Sequence, residues 1–228
     1  MKAVILAAGE GIRMLPLTRD TPKPLLKVCG KTLIEHAIDA LPPEVDELIL
    51  VVGYLGDKIQ DFLGNNFQGK KINYIRQKEK LGTAHALALC RSFLGEDKFM
   101  MLYADDIHGK EGLCRLASRD LAISIKEVED PRPFGVVTMD EAHKIIDIEE
   151  KPENPKSHMV STGPMVLDGR IFEYEAEKSK SGEYYLTSAI SKMIKDHAFF
   201  GEISSEWIPV GCPEDLVRAE KILSEKFY

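Results

Sequence analysis

The chain has 228 residues, 44% of them hydrophobic, which is enough for one substantial core and too few for two large independent domains. Its 37 acidic against 30 basic residues give a formal charge of -7, a sign that repels a polyanion and argues against a nucleic-acid partner. Any phosphate-bearing ligand therefore needs a local cluster of cations. Cys29, Cys90, Cys114 and Cys212 show neither CxxC nor His spacing, which argues against a zinc site or a disulfide frame. No apolar run approaches the roughly 20 residues of a membrane span, so a soluble, cytoplasmic protein is expected.

In chain order, Lys2 to Leu6 is a continuous apolar run ending in small residues and glycines, which predicts a strand buried on both faces and followed by a loop. Thr32 to Leu41 carries Leu33, Ala37, Ile38 and Leu41 at helical spacing, stopped by Pro42 and Pro43. Glu47 to Val52 reads as a second buried strand, Gly56 to Leu63 as a helix, Lys71 to Arg76 as a strand, Thr83 to Phe93 as one helix and Lys98 to Tyr103 as a strand. This βαβαβαβ rhythm predicts an α/β domain with ligands at the carboxyl ends of a mainly parallel sheet. After Asp105 the runs Leu121 to Val128, Gly135 to Met139 and Lys144 to Glu149 read as strands with few helices between them, so a more antiparallel half is expected. Ser188 to His197 and Glu214 to Lys226 read as helices, Phe199 to Ser204 and Trp207 to Val210 as extended segments, and the polar stretch from Glu175 to Gly182 as mobile.

The densest chemical signal is Leu6 to Leu26, LAAGEGIRMLPLTRDTPKPLL. Directly after the first strand, Gly9 and Gly11 let backbone N–H groups approach phosphate oxygens. Arg13 offers a planar charged fork and Lys23 a compact cation between two prolines. The dinucleotide fingerprint fails because Met14 stands where a small residue is needed, and a Walker A pattern ending at Gly30-Lys31-Thr32 fails because Leu25 stands where it needs glycine.

With its GxGxR loop and PKP lysine, the segment resembles the nucleotidyltransferase family that activates sugar 1-phosphates. QKEKLGTAHA at Gln77 to Ala86, LYAD at Leu102 to Asp105, EEKP at Glu149 to Pro152, STG at Ser161 to Gly163 and VGCPEDL at Val210 to Leu216 follow in that family's order. The resemblance implies a Rossmann-like α/β nucleotide-diphospho-sugar transferase fold with a mixed, mainly parallel central sheet. One domain is expected, with residues 1–110 as the nucleotide half and 111–228 as the sugar half. It also implies transfer of a nucleoside monophosphate from an NTP to a sugar 1-phosphate, releasing pyrophosphate.

By the same resemblance Arg13 and Lys23 are catalytic, and Leu6, Ala8, Gly9, Gly11, Gln77, Gly82 and Thr83 bind the nucleotide. Gln77 can read a base edge with donors and an acceptor, a pairing with Gly82 that the family associates with uridylyl and thymidylyl transfer. Asp105 is implied as a ligand of the cofactor Mg²⁺, whereas Asp106 beside it reads as a turn or cap residue and His85 as structural. Gly135, Glu149, Glu150, Lys151, Thr162 and Gly163 are the matches on the sugar side. Strand alternation puts Glu149 and Lys151 on one face and Glu150 on the other, and leaves open which glutamate meets the sugar.

The main departure is Pro209, where relatives commonly carry an aspartate that also binds the metal. Glu206 and Asp215 are not obvious substitutes. The implied partners are an NTP and a sugar 1-phosphate, with neither nucleic acid nor membrane, and homo-oligomer formation is left open. Two alternatives are a cytidylyltransferase acting on a non-sugar phosphate and a catalytically weakened regulatory homologue.

Overall fold

The computed structural model describes residues 1–179 and 182–226; Lys180 and Ser181, within the stretch expected to be mobile, lie outside it. The first half runs β1 (Lys2–Ala7), β2 (Lys27–Val28), β3 (Lys31–Thr32), α1 (Leu33–Asp39), β4 (Glu47–Val52), α2 (Gly56–Leu63), β5 (Asn66–Phe67) and β6 (Lys70–Arg76). It continues through α3 (Thr83–Ala88), α4 (Arg91–Leu94), β7 (Phe99–Tyr103), β8 (Ile107–His108) and α5 (Lys110–Ala117). The second half adds β9 (Ala122–Glu127), β10 (Gly135–Met139), β11 (Lys144–Glu150), β12 (Met159–Leu167), α6 (Leu186–Asp196), β13 (Phe199–Ile203), β14 (Trp207–Ile208) and α7 (Pro213–Ser224).

One ten-stranded sheet organises the chain in the order β10-β11-β13-β9-β12-β7-β1-β4-β6-β5. It is mixed. Strands β7, β1, β4 and β6 run parallel, while β12 pairs antiparallel with both β7 and β9. Sheet alternation explains the unbroken apolar runs of the parallel half. In β1, Val4 and Leu6 enter a core shared with Leu87, Ile190 and Met193 from α3 and α6, while Ala3, Ile5 and Ala7 enter the opposite core with Ile34, Ile59 and Leu116. Both cores flank the same sheet, so helices cover each face and the ends of the parallel strands are left for ligands.

One expected element needs correction. The helix read from Thr83 to Phe93 is two helices, α3 and α4, separated at Leu89 and Cys90. Helix α5 and the nine-residue β12 were not anticipated at all. Strand β12 hides because Gly163 and Pro164 interrupt its pattern, and the ladder to β9 shifts register there, between Ser161 and Met165. No helix among the described residues is long and apolar enough to cross a membrane.

Candidate active site

The site follows from where parallel strands end. Strand β1 runs into the Gly9–Arg13 loop, β7 beside it into Ala104 and Asp105, and β6 on the far side of β4 into Gln77. Leu6 pairs with Tyr103, and Ala104 N–H donates to Leu6 O at 3.1 Å, so the glycine loop and Asp105 leave the sheet side by side. Between them and the loop after β6 lies a cavity of about 440 Å³. Its walls include Leu6, Ala8, Gly9, Gly11, Arg13, Lys23, Gln77, Gly82, Thr83 and Asp105, every residue assigned to nucleotide, catalysis or metal.

The glycine loop is fixed from below. Gly11 adopts φ 62, its carbonyl accepts the Thr18 hydroxyl at 2.8 Å, and a Cβ there would come within 3.0 Å of Thr18 and 3.1 Å of Lys23. Tyr54 Oη donates to the carbonyls of Thr18 and Arg19, tying the loop to the end of β4. Lys23 opens a short 3₁₀ turn, Lys23–Leu25, with Pro22 before it and Pro24 within it, and is only 7% exposed, so its ammonium must find a partner. That partner is Asp105, at 2.6 Å from Nζ to Oδ2.

At the opposite wall, Gln77 Nε2 donates to Gly82 O at 3.1 Å and lies 3.0 Å from His85 Nδ1. Because a carbonyl can only accept, the amide nitrogen must face Gly82, and Oε1 remains as a hydrogen-bond acceptor. His85 is thus structural in a specific way: it helps orient Gln77. Gly82 serves a packing role beyond backbone access, since a Cβ at its φ of +94 would lie 2.6 Å from Tyr184 O. The Thr83 hydroxyl is also engaged, accepting Leu186 N–H at 2.9 Å.

The sugar-side candidates separate. Gly135 stands opposite Glu150 in the β10–β11 ladder, and Glu150 Oε2 accepts the Thr187 hydroxyl at 3.0 Å. Lys151 Nζ lies 3.5 Å from Glu150 Oε1 and 5.1 Å from the ring centre of Tyr185, which itself lines the cavity. Gly163, at φ +109, packs against Tyr103 at the cavity wall. Glu149 is exposed and Thr162 is buried with its hydroxyl on Ser124, so neither side chain joins this group. The expected alternation holds for Glu149 and Glu150, consecutive in β11, and fails at Lys151. Strand β11 ends at Glu150, and Lys151 turns to φ +45, which brings its ammonium back to its neighbour.

Asp106 is a buried brace. Its two oxygens accept Trp207 Nε1 at 2.9 Å and Val210 N at 3.0 Å, and burial, with the Asp105 charge beside it, pushes its carboxyl up to about 7. The brace sets the segment leading to Gly211, which lines the cavity next to Arg13. Pro209 in that segment offers only its carbonyl, which accepts Arg218 Nη2 at 3.0 Å. Asp215 caps the N–H groups of Gly211 and Cys212, and Glu206 pairs with Lys226, so neither replaces the absent aspartate. Among the described residues no group of three or more His, Cys, Asp or Glu side chains could hold a metal.

Sequence reasoning missed Glu10, Lys80, Tyr103, Glu183 and Tyr185 as wall residues. Glu10, Lys80 and Tyr103 stood inside motifs already singled out, whereas Glu183 and Tyr185 come from far along the chain, where Tyr184 hydrogen-bonds Leu81 and Ala84 and Leu186 N–H donates to Thr83.

Comparison with known proteins fits this geometry. Residues 2–226 match the family described as nucleotidyl transferase. The chain is 36% identical over 229 residues to the bifunctional protein GlmU of Methanocaldococcus jannaschii, covering 99% of this chain and 55% of that protein. It thus spans about half the length of the first curated relatives it matches. It is 34% identical to the UTP–glucose-1-phosphate uridylyltransferase AglF of Haloferax volcanii, covering 99% of this chain and 98% of AglF. A crystal structure of a putative glucose-1-phosphate thymidylyltransferase from Bacillus anthracis, in complex with a sucrose, superposes with TM-score 0.87 at 31% identity, over 97% of this chain and 94% of that one. On sequence and architecture together, the chain belongs to the nucleotidyl transferase family.

Proposed function

We propose that the chain transfers a nucleoside monophosphate from UTP or dTTP to a sugar 1-phosphate, forming an NDP-sugar and pyrophosphate. The observation that carries this reading is the meeting of Gly9, Gly11, Arg13, Lys23, Asp105 and Gln77 in one cavity at the carboxyl ends of parallel strands. The names of the relatives that match over most of their own length, a uridylyltransferase and a thymidylyltransferase for glucose 1-phosphate, support the same class.

In this reading the triphosphate lies along the Gly9–Arg13 loop, and the base lies against Gln77 and Gly82. Gln77 Oε1, as an acceptor, suits the N3–H of uracil or thymine and opposes the N3 lone pair of cytosine, which disfavours a cytidylyltransferase. A sugar-phosphate oxygen attacks the α-phosphorus in line, and the bond to the bridging oxygen of the leaving pyrophosphate breaks. The attacking oxygen is already anionic near neutral pH, so no general base is needed. Arg13 and Lys23 stabilise charge on the transferring and leaving groups. Gly135, Glu150 and Lys151, next to Tyr185, are the groups offered to the sugar.

A Mg²⁺ ion, when bound, would neutralise triphosphate charge, and Asp105 is the residue to hold it. One carboxylate suits an ion that keeps phosphate oxygens and water as its other ligands.

The test is pyrophosphate release over a panel of NTPs and sugar 1-phosphates. Turnover with UTP or dTTP and a hexose 1-phosphate is expected; turnover confined to CTP with an alcohol phosphate, or none with any pair, rejects the proposal.

A further inference from the structure

The carboxylate of Glu10 sits between the two glycines of the loop proposed to carry the triphosphate, where a negative charge opposes the ligand. Its Oε1 is held by the ammonium of Lys80, from the loop that joins Gln77 to Gly82. Both residues line the cavity, so this ion pair bridges its two walls. The pair is solvent-facing: the Lys80 side chain is 69% exposed and that of Glu10 30%. An exposed pair of this kind is easily exchanged for another partner.

The charges of the whole cavity point the same way. Arg13, Lys23 and Lys80 face Glu10, Asp105 and Glu183, so the formal charges of its lining cancel. Lys23 is already committed to Asp105 and Lys80 to Glu10. A triphosphate entering this neutral cavity gains most if the mobile ammonium leaves its carboxylate for a phosphate oxygen. Lys80, on a long flexible side chain with three rotatable donors, is suited to that exchange.

Building on the nucleotide reading above, we infer that Lys80 is a switching phosphate ligand: Glu10 holds it across the empty cavity, and it passes to the terminal phosphates when the NTP binds. Glu10 acts as a selectivity element, since only a ligand with enough negative charge wins Lys80 from it. A nucleoside monophosphate, lacking those terminal phosphates, leaves the pair in place.

Calorimetric titration with UTP and UMP, at low and high salt, on wild type, Lys80→Met, Glu10→Gln and the double variant tests this. Lys80→Met is expected to weaken UTP by about tenfold, the scale of one charge-assisted hydrogen bond, and to leave UMP unchanged. Glu10→Gln should tighten UTP by about two- to fivefold, most at low salt. The double variant should keep most of the Lys80→Met loss. Equal weakening of UTP and UMP by Lys80→Met, or UTP binding unaltered by it, overturns the switch while leaving the nucleotide site standing. Wild-type protein that binds no nucleotide overturns both readings together.

Discussion

Replacing Gly82 with alanine isolates the packing that shapes the wall proposed to meet the base. A Cβ at this position would lie 2.6, 2.8 and 3.0 Å from the O, N and C atoms of Tyr184, all backbone atoms that no rotamer change can clear. The backbone itself, at φ 94 and ψ -176, falls where essentially only glycine is comfortable. Holding alanine there costs ~1–3 kcal/mol, and moving Tyr184 aside costs ~1–3 kcal/mol more, so a loss of ~2–6 kcal/mol is expected against a domain stability of ~5–15 kcal/mol. The displacement strains two backbone hydrogen bonds, Tyr184 N to Leu81 O at 2.8 Å and Ala84 N to Tyr184 O at 2.9 Å. It also moves the Gly82 carbonyl that orients Gln77. Urea unfolding of Gly82→Ala should therefore show the stability loss, and UTP titration a weaker complex. A variant within ~0.5 kcal/mol of wild type that binds UTP equally well would refute the close approach and the orienting role drawn from it.

Asp106 makes stability depend on pH. Unfolded, its carboxyl titrates near ~3.9, but in the fold it holds its proton up to about 7. The folded chain therefore binds the extra proton between these values, so its contribution is full below the lower one and is lost as pH rises through the upper one. Urea unfolding across that window should show the decline, and Asp106→Asn, less stable throughout because one N–H of Trp207 or Val210 loses its acceptor, should remove this component of the slope. Arg13→Ala and Lys23→Ala should each lower turnover by about a hundredfold or more, the scale of one preorganised donor, and near-wild-type pyrophosphate release in either would remove its assigned role. Calorimetry should show Mg²⁺ binding weakly without NTP, and Pro209→Asp should strengthen it; tight binding by wild type alone would mean that Asp105 is not the principal ligand.

The proposed nucleotide side of the cavity was legible because its residues follow strands directly in sequence. Gly9, Arg13, Gln77 and Asp105 each leave the sheet within a few residues of a readable apolar run, and parallel pairing then gathers them. The proposed sugar side depended on facts that no local pattern carries. Glu150 is selected by the end of β11 and the left-handed turn at Lys151, and by Thr187 from a helix remote in the chain. Asp106 was read as a turn or cap residue, which it resembles in accepting a backbone N–H; its actual partners lie about a hundred residues away, on Trp207 and Val210. Glycine types were conspicuous, but their causes were not: Gly82 is held by Tyr184, and Gly163 by Tyr103.

Strand β12 comes from the second half of the chain, yet it is hydrogen-bonded to β7 on one side and to β9 on the other. A line drawn near residue 110 thus divides the proposed ligand duties without dividing the fold. Cut there, the first piece would expose β7 as an unpaired edge, open to pairing with other chains. Acceptor halves consequently cannot be exchanged between relatives as cassettes unless the β12–β7 register is carried along. On the proposed reading, a change of acceptor is expected through gradual substitution around Gly135, Glu150 and Lys151, where side chains can vary while the ladder stays whole.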